Sequence, residues 1–183
     1  MAEAQIAIRP LDRPGDLGWV VMAHGEVYNA EFGWDTDVEA FAARVVADYA
    51  NGRDATREAA WMAELDGRRA GCVLCVAADE TTAQLRMLMV DPAARGHHLG
   101  GRLVDQCVAF ARQAGYARMK LWTNHPLVAA RGIYVSRGFT LVEEDPHRSF
   151  GVDLIGQVYE LELGAAADSP TANPSTPSPA GDQ

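Results

Sequence analysis

The sequence predicts an α/β chain of the α+β kind, with a central mixed, mostly antiparallel sheet of seven strands and helices on both faces. Three observations predict it. The apolar period switches along the chain in the order β-α-α-β-β-β-α-β-α-β-β. Asp66-Gly67 separates two apolar runs and is a two-residue hairpin signal, so part of the sheet is antiparallel. The strands that end at Val90 and Asn124 are joined by a helical crossover, which makes that pair parallel.

Each element has its own warrant. Residues 5–9 alternate and read as a first strand. From Asp16 to Phe32, Leu17, Val20, Val21, Val27, Tyr28 and Phe32 recur at helical spacing. Thr36 or Asp37 caps a second helix that carries Val38, Phe41, Val45, Val46 and Tyr49 inward. Residues 57–65 and 69–78 are the hairpin strands, and 83–90 is the next. Leu99, Leu103, Cys107, Phe110, Ala111 and Ala114 line one face of a helix that Gly115 stops. Residues 118–123 are a strand, 126–137 a helix, and 139–143 and 157–163 a closing antiparallel pair. Residues 144–156 are expected to be a long loop.

With 183 residues and 48% apolar content, the chain suffices for one domain with a sizeable core, expected over residues 1–163. Residues 164–183 hold four prolines and no aliphatic larger than alanine, the composition of a disordered tail. The net charge of −9, with basic residues scattered, argues against nucleic acid as a partner and is compatible with a cationic amine. No leader pattern and no apolar run of spanning length occurs, so the expectation is a soluble, cytoplasmic protein without a membrane partner. Cys72 and Cys75 lie three apart on a strand and face opposite sides; with Cys107 they are expected to be buried and free.

Chemistry concentrates between residues 84 and 104. A strand ends at Asp91-Pro92, a loop carries Arg95, Gly96, His97 and His98, and a helix opens at Leu99, Gly100 and Gly101. Such a junction directs unpaired N–H groups and the positive end of a helix dipole at one point, which suits a phosphate. Arg95 adds a charged fork. A Walker loop would need Gly-Lys-Ser/Thr, and this loop has Gly100-Gly101-Arg102; the spacing of a dinucleotide fingerprint also fails. Adjacent His97 and His98 do not aim both rings at one ion and no third ligand sits at metal-site spacing, so no metal is expected.

The stretch Val90-Asp-Pro-Ala-Ala-Arg95-Gly96-His-His98-Leu-Gly100 resembles the pyrophosphate loop of the GNAT acyltransferases, Arg/Gln-x-x-Gly-x-Gly/Ala after Val-Asp-Pro, with His98 replacing the inner glycine. A second block, Leu121-Trp-Thr-Asn124 followed by Tyr134-x-x-x-Gly138-Phe139, is similar to the acceptor-side half of that family. The resemblance spans residues 5–163 and implies the GNAT fold, with its parallel strand pair splayed apart. It also implies acetyl-CoA as co-substrate and transfer of an acetyl group to a primary amine, a small molecule or a protein amine, by direct attack. Homodimers are common in the family. The neighbourhood of His24-Gly25, Tyr28 and Glu31 to Trp34 further resembles the acetyltransferase half of proteins with an N-terminal winged-helix regulator, here expected without that regulator.

Residue by residue, the resemblance assigns backbone N–H groups of Met89 and Val90 to the thioester arm and the backbone of Arg95–Gly100 to the pyrophosphate. Asn124 falls to the pantetheine amide and Tyr134 to the acid that meets the departing thiolate. Two positions depart from the family: Gln84 stands where many relatives carry a basic Glu, and Leu127 where a second Asn is common. The base must then come from elsewhere. His24, Tyr28 and Glu31 share one stripe of the first helix, with Trp34 just beyond. His24 and Glu31 are candidates for base and orienting partner, and Tyr28 and Trp34 for the acceptor wall; His147 and Ser149 are further candidates. A different class of protein, a catalytically silent acyl-CoA sensor, would also account for Gln84.

Overall fold

The computed structural model describes residues 4–164, so the expected Pro/Ser/Ala-rich tail falls almost wholly outside the described residues. The seven strands are β1 (Ile6–Pro10), β2 (Ala59–Leu65), β3 (Arg68–Ala77), β4 (Thr82–Val90), β5 (Arg118–Asn124), β6 (Thr140–Ser149) and β7 (Val152–Glu162). They form one sheet in the order β1-β2-β3-β4-β5-β7-β6, antiparallel except for β4 with β5. Helices α1 (Asp16–Phe32) and α2 (Asp37–Gly52) cover one face, with Val20, Val45, Tyr49, Met62 and Leu74 between helix and sheet. Helices α3 (Leu99–Gln113) and α4 (Val128–Ser136) join the opposite face, whose core includes Leu85, Leu103, Cys107, Met119 and Phe139. Cys72 belongs to the first core and Cys75 and Cys107 to the second; all three are buried free thiols. No helix among the described residues is long and apolar enough to cross a membrane.

The turn chemistry follows the sequence closely at Asp66-Gly67, where φ is 51° and 76°, the left-handed pair that a tight hairpin demands. Strand β4 ends because Asp91 turns its carboxylate onto the Ala93 N–H at 2.8 Å and starts a single 3₁₀ turn, Pro92–Ala94. Thr36, one of the two caps expected, holds the N-cap position of α2, but a different side chain supplies the bond. Asp35 Oδ1 accepts the Asp37 N–H at 3.0 Å instead, while the Thr36 side chain makes no cap bond.

The expected 144–156 loop is also corrected. β6 runs on to Ser149 and pairs with β7 throughout, turning at Phe150-Gly151 with φ of 56° and 79°. Charges and Pro146 hide this strand from a reading based on apolar alternation. They are tolerated because β6 is the edge of the sheet, where a missing N–H breaks no central ladder. The turn reaches back to the helices: Asp35 N–H donates to Phe150 O at 3.1 Å, and the Phe150 ring stacks on Trp34 at 5.0 Å.

The feature that matters most lies in β4. Parallel pairing with β5 covers only Thr82–Leu85, so Arg86–Val90 has no partner strand on that side. On the other side the register with β3 slips between Cys72 and Leu74, where two residues, Met87 and Leu88, oppose Val73. This is a β-bulge, and Met87 takes φ of 56° to make it. The bulge inverts the side-chain alternation: Ala83 and Leu85 pack toward α3, then Met87 and Met89 toward α1 and α2. Gly71 opposite is obligatory here, since a Cβ on it would lie 2.8 Å from Met89 O.

Candidate active site

Two hollows open where β4 and β5 part. The first, about 370 Å³, is walled by His24, Tyr28, Trp34, Phe41, Gln84, Arg86, Trp122, Asn124 and Tyr134 among others. The second, about 420 Å³, is walled by Glu31, Val90, Arg95, Gly96, His98, Leu99, Gly100 and Ile133 among others. Tyr28, Leu88, Leu127 and Ala130 border both, so the hollows meet at that quartet.

The second hollow contains the loop and helix start expected to cradle an anion. The first intrahelical bond of α3 runs from Arg102 N–H to His98 O at 3.2 Å, which leaves the amides of Leu99, Gly100 and Gly101 without an intrahelical partner. Gly100 is close-packed, because a Cβ there would lie 2.7 Å from Ile133 Cδ1. Gly96 has φ of 87°, and His98 has φ of 57°. The loop therefore asks a histidine for the left-handed conformation that glycine supplies in the resembling pattern. Histidine tolerates it better than most residues, at a cost of order 1–2 kcal/mol. Of the expected cradle, His97 and Gly101 stand apart from the hollow's wall. Gly101 instead packs against the Arg137 guanidinium, which is ion-paired with Asp105 at 2.9 Å.

Backbone direction separates Met89 from Val90. The Asp91 N–H donates to Ala70 O at 2.9 Å, and Met89 O points at Gly71, so both residues spend their polar groups on β3. By the alternation of an antiparallel ladder, the Val90 N–H faces the opening and that of Met89 does not. The assignment of Met89 is thus corrected in part: it borders the second hollow, but its side chain is core and its carbonyl faces β3.

The stripe on α1 divides between the hollows, since His24 and Glu31 stand ~10 Å apart along the axis. His24 is in the first hollow and 4% exposed. Its Nδ1–H donates to Val20 O at 2.7 Å, which leaves Nε2 as the bare nitrogen. Burial pushes its pKa down from 6.5 to about 4, against a smaller upward pull from that hydrogen bond, so the ring is neutral near pH 7. Glu31 is in the second hollow, where its Oε1 takes the Arg95 Nη2 at 2.6 Å. The expected His24–Glu31 partnership is not formed. Tyr28 packs edge-on to His24 and Trp34, and burial raises its hydroxyl pKa. Trp34 is 2% exposed and is as much core as wall.

Tyr134 lies on the first hollow, buried against Phe139 and Tyr159. Burial above all, then the Tyr28 hydroxyl, raises its pKa far above the ordinary value, so it carries its proton at any working pH. Asn124 falls in the first hollow and not on the cradle side. Its Oδ1 accepts the His147 Nε2–H at 2.9 Å, and His147 Nδ1 accepts from Ser149 Oγ at 2.9 Å. The two β6 residues thus reach the site by way of Asn124. Arg86 and Trp122 were missed. Arg86 sets a charge between Leu85 and Met87, next to the point where the alternation inverts, which is the signal that could have found it.

Residues 24–139 match the acetyltransferase (GNAT) family. The chain is similar to mycothiol acetyltransferase of Beutenbergia cavernae, 34% identical over 74 residues, which are 40% of this chain and 24% of that protein. It is also similar to N-acetyltransferase 8B of Homo sapiens, 34% identical over 84 residues, 43% of this chain and 37% of that one. The chain therefore spans well under half the length of these curated relatives. Among solved structures, yncA of Salmonella typhimurium with its cofactor acetyl-CoA superposes with a TM-score of 0.70 at 17% identity, over 92% of this chain and 99% of that one.

Proposed function

The chain belongs to the acetyltransferase (GNAT) family, and from that premise we propose that it moves an acetyl group from acetyl-CoA to a primary amine by direct attack. The observation that carries this reading is the meeting of two hollows at the gap between β4 and β5, one with an anion cradle and one lined by aromatic and polar side chains. Arg95 and the free amides of Leu99 and Gly100 suit a pyrophosphate. The Val90 N–H suits an amide of the pantetheine arm, which completes a ladder that β5 leaves open.

In this reading the amine enters the first hollow, its nitrogen forms a bond to the thioester carbonyl carbon, and the C–S bond breaks. Two protons leave the nitrogen in all: the ammonium gives one to a base before attack, and the adduct's nitrogen gives up a second, which balances the proton that the sulfur gains. Tyr134, held protonated by burial, donates a hydrogen bond to the thiolate as it forms. His24 Nε2 is the open acceptor for the ammonium's proton, directly or through water, and its low pKa makes it a weak base. Glu31 is assigned to Arg95 as the partner that the pyrophosphate displaces.

Calorimetric titration with acetyl-CoA tests the reading. Micromolar binding by the intact chain, weakened by about tenfold or more in Arg95→Ala, is the expected result, since a charge-assisted bidentate contact contributes about 1.5–3 kcal/mol. Amine-dependent release of the CoA thiol then follows. Binding without release for any amine would favour a silent acyl-CoA sensor, and no binding would end the acetyltransferase reading.

A further inference from the structure

The first hollow has an electrostatic oddity. The whole chain is acidic, with a net charge of −9, yet no Asp or Glu is among the residues that wall this hollow. Its one permanent charge is positive: Arg86, half-buried on β4 just before the bulge. The other half-buried arginines all have a polar partner: Arg57 donates to Glu80 O and Arg131 to His125 O, and the rest are ion-paired. Arg9 and Arg69 share Asp16, and Arg137 has Asp105. Arg86 makes no ion pair and no side-chain hydrogen bond among the described residues. It lies 5.6 Å from the Phe41 ring centroid, and Asp48 of α2 acts on it only at longer range. Burial lowers its pKa, the sign of a cation short of solvent and short of a partner. A guanidinium stays charged regardless, so it waits for an anion.

We propose that the acceptor is an amine carrying its own carboxylate, an α-amino acid with an apolar side chain, whose carboxylate Arg86 binds in the first hollow. The inference rests on the acetyl-transfer reading above and names its substrate class. A simple cationic amine would enter a hollow with a fixed positive charge and no compensating carboxylate. A zwitterion brings the missing anion with it, and the guanidinium fork matches a carboxylate in two hydrogen bonds. Phe41, Trp122, Phe150 and Val38 offer the apolar side chain its surroundings. The position along the strand also fits. Leu88, two residues beyond Arg86, walls both hollows, so a carboxylate held by Arg86 keeps the neighbouring amine close to the junction. The same positive charge favours loss of the ammonium proton, which eases the demand on a base where Gln84 replaces the usual carboxylate.

Matched pairs test this. L-phenylalanine, L-leucine and L-methionine are compared with phenethylamine, isoamylamine and 3-(methylthio)propylamine, each lacking only the carboxylate. Two readouts are taken: thiol release from acetyl-CoA, and tryptophan fluorescence of the CoA-loaded protein, since Trp34 and Trp122 wall the hollow. The expected result is kcat/KM higher by about tenfold or more for the amino acids, with that preference lost in Arg86→Gln and partly kept in Arg86→Lys. Donor affinity is expected to stay unchanged. Saturable fluorescence binding of the amino acids, Arg86-dependent but without thiol release, would uphold the carboxylate site and overturn acetyl transfer. Equal or better use of the decarboxylated amines, an unchanged preference in Arg86→Gln, or no saturable response to any amino acid would overturn the proposal. Should Arg86→Gln not fold, the wild-type comparison within each pair decides.

Discussion

At the scale of single residues, the contact between Arg95 and Glu31 changes the meaning of both. Glu31 shares a helical stripe with His24, which invites a catalytic pairing, but the stripe is longer than either hollow. Its carboxylate therefore meets the cradle arginine at 2.6 Å, on a pair whose side chains are 52% and 29% exposed. A pyrophosphate and Glu31 compete for the same guanidinium. Glu31→Gln is thus expected to tighten acetyl-CoA binding by about twofold to fivefold, the range of an exposed ion pair, with kcat little changed. A titration of donor affinity alongside steady-state rates checks it. A tenfold fall in kcat at unchanged donor affinity would return Glu31 to the chemistry. His24 and Tyr134 show the opposite lesson: both are placed as their spacing suggests, and burial then sets how each can act.

At the scale of elements, β4 does most to create the site. Its first half pairs on both edges; its second half keeps β3 and loses β5. Gly71 permits that geometry, because a Cβ there would meet Met89 O at 2.8 Å and Leu103 Cδ1 at 3.1 Å. Gly71→Ala is expected to cost about 1–3 kcal/mol, as overpacking does, and to weaken acetyl-CoA binding by displacing Val90. Denaturant melts paired with donor titration read both effects; a variant of native stability and affinity would show that β4 is free to shift. Helix α1 was legible to the residue because Val20, Val27 and Tyr28 keep helical spacing on the covered face, although His24 interrupts it. The Asp66-Gly67 hairpin was legible from its turn chemistry. The bulge was not, because residues 87–90 are apolar whichever face they take, so the inverted alternation leaves no pattern among them. Nor was the outer half of β6, where an edge strand needs no apolar face and Pro146 reads as a break. Asp35 escaped as a cap because the Thr36 and Asp37 beside it are equally good candidates by composition.

At the scale of the molecule, two groups with lowered pKa make the fold acid-sensitive in separate windows. The His24 ring takes up a proton near 6.5 when unfolded but refuses it until about 4 when folded. The unfolded state then binds more protons, so stability falls as pH drops from about 6.5 to 4, by up to about 3 kcal/mol. Asp16 acts lower. It is fully buried, which by itself would raise its pKa, but hydrogen bonds from Arg9, Arg69 and the Arg13 N–H outweigh this and hold it far below the ordinary 3.8. Its contribution is complete above that ordinary value and is lost below it. Denaturant midpoints between pH 7 and 3 should show two descents, the upper one flattened in His24→Phe. A level profile down to pH 4 would place His24 in contact with solvent.

Tyr28, Leu88, Leu127 and Ala130 belong to the walls of both hollows. Whatever occupies one side settles the partition that the other side must use. With a donor in one hollow and an acceptor in the other, their affinities are expected to be coupled through these four side chains, and linkage would make the coupling reciprocal. In the proposed reading, such a partition makes the two ligands mutual effectors through the wall between them.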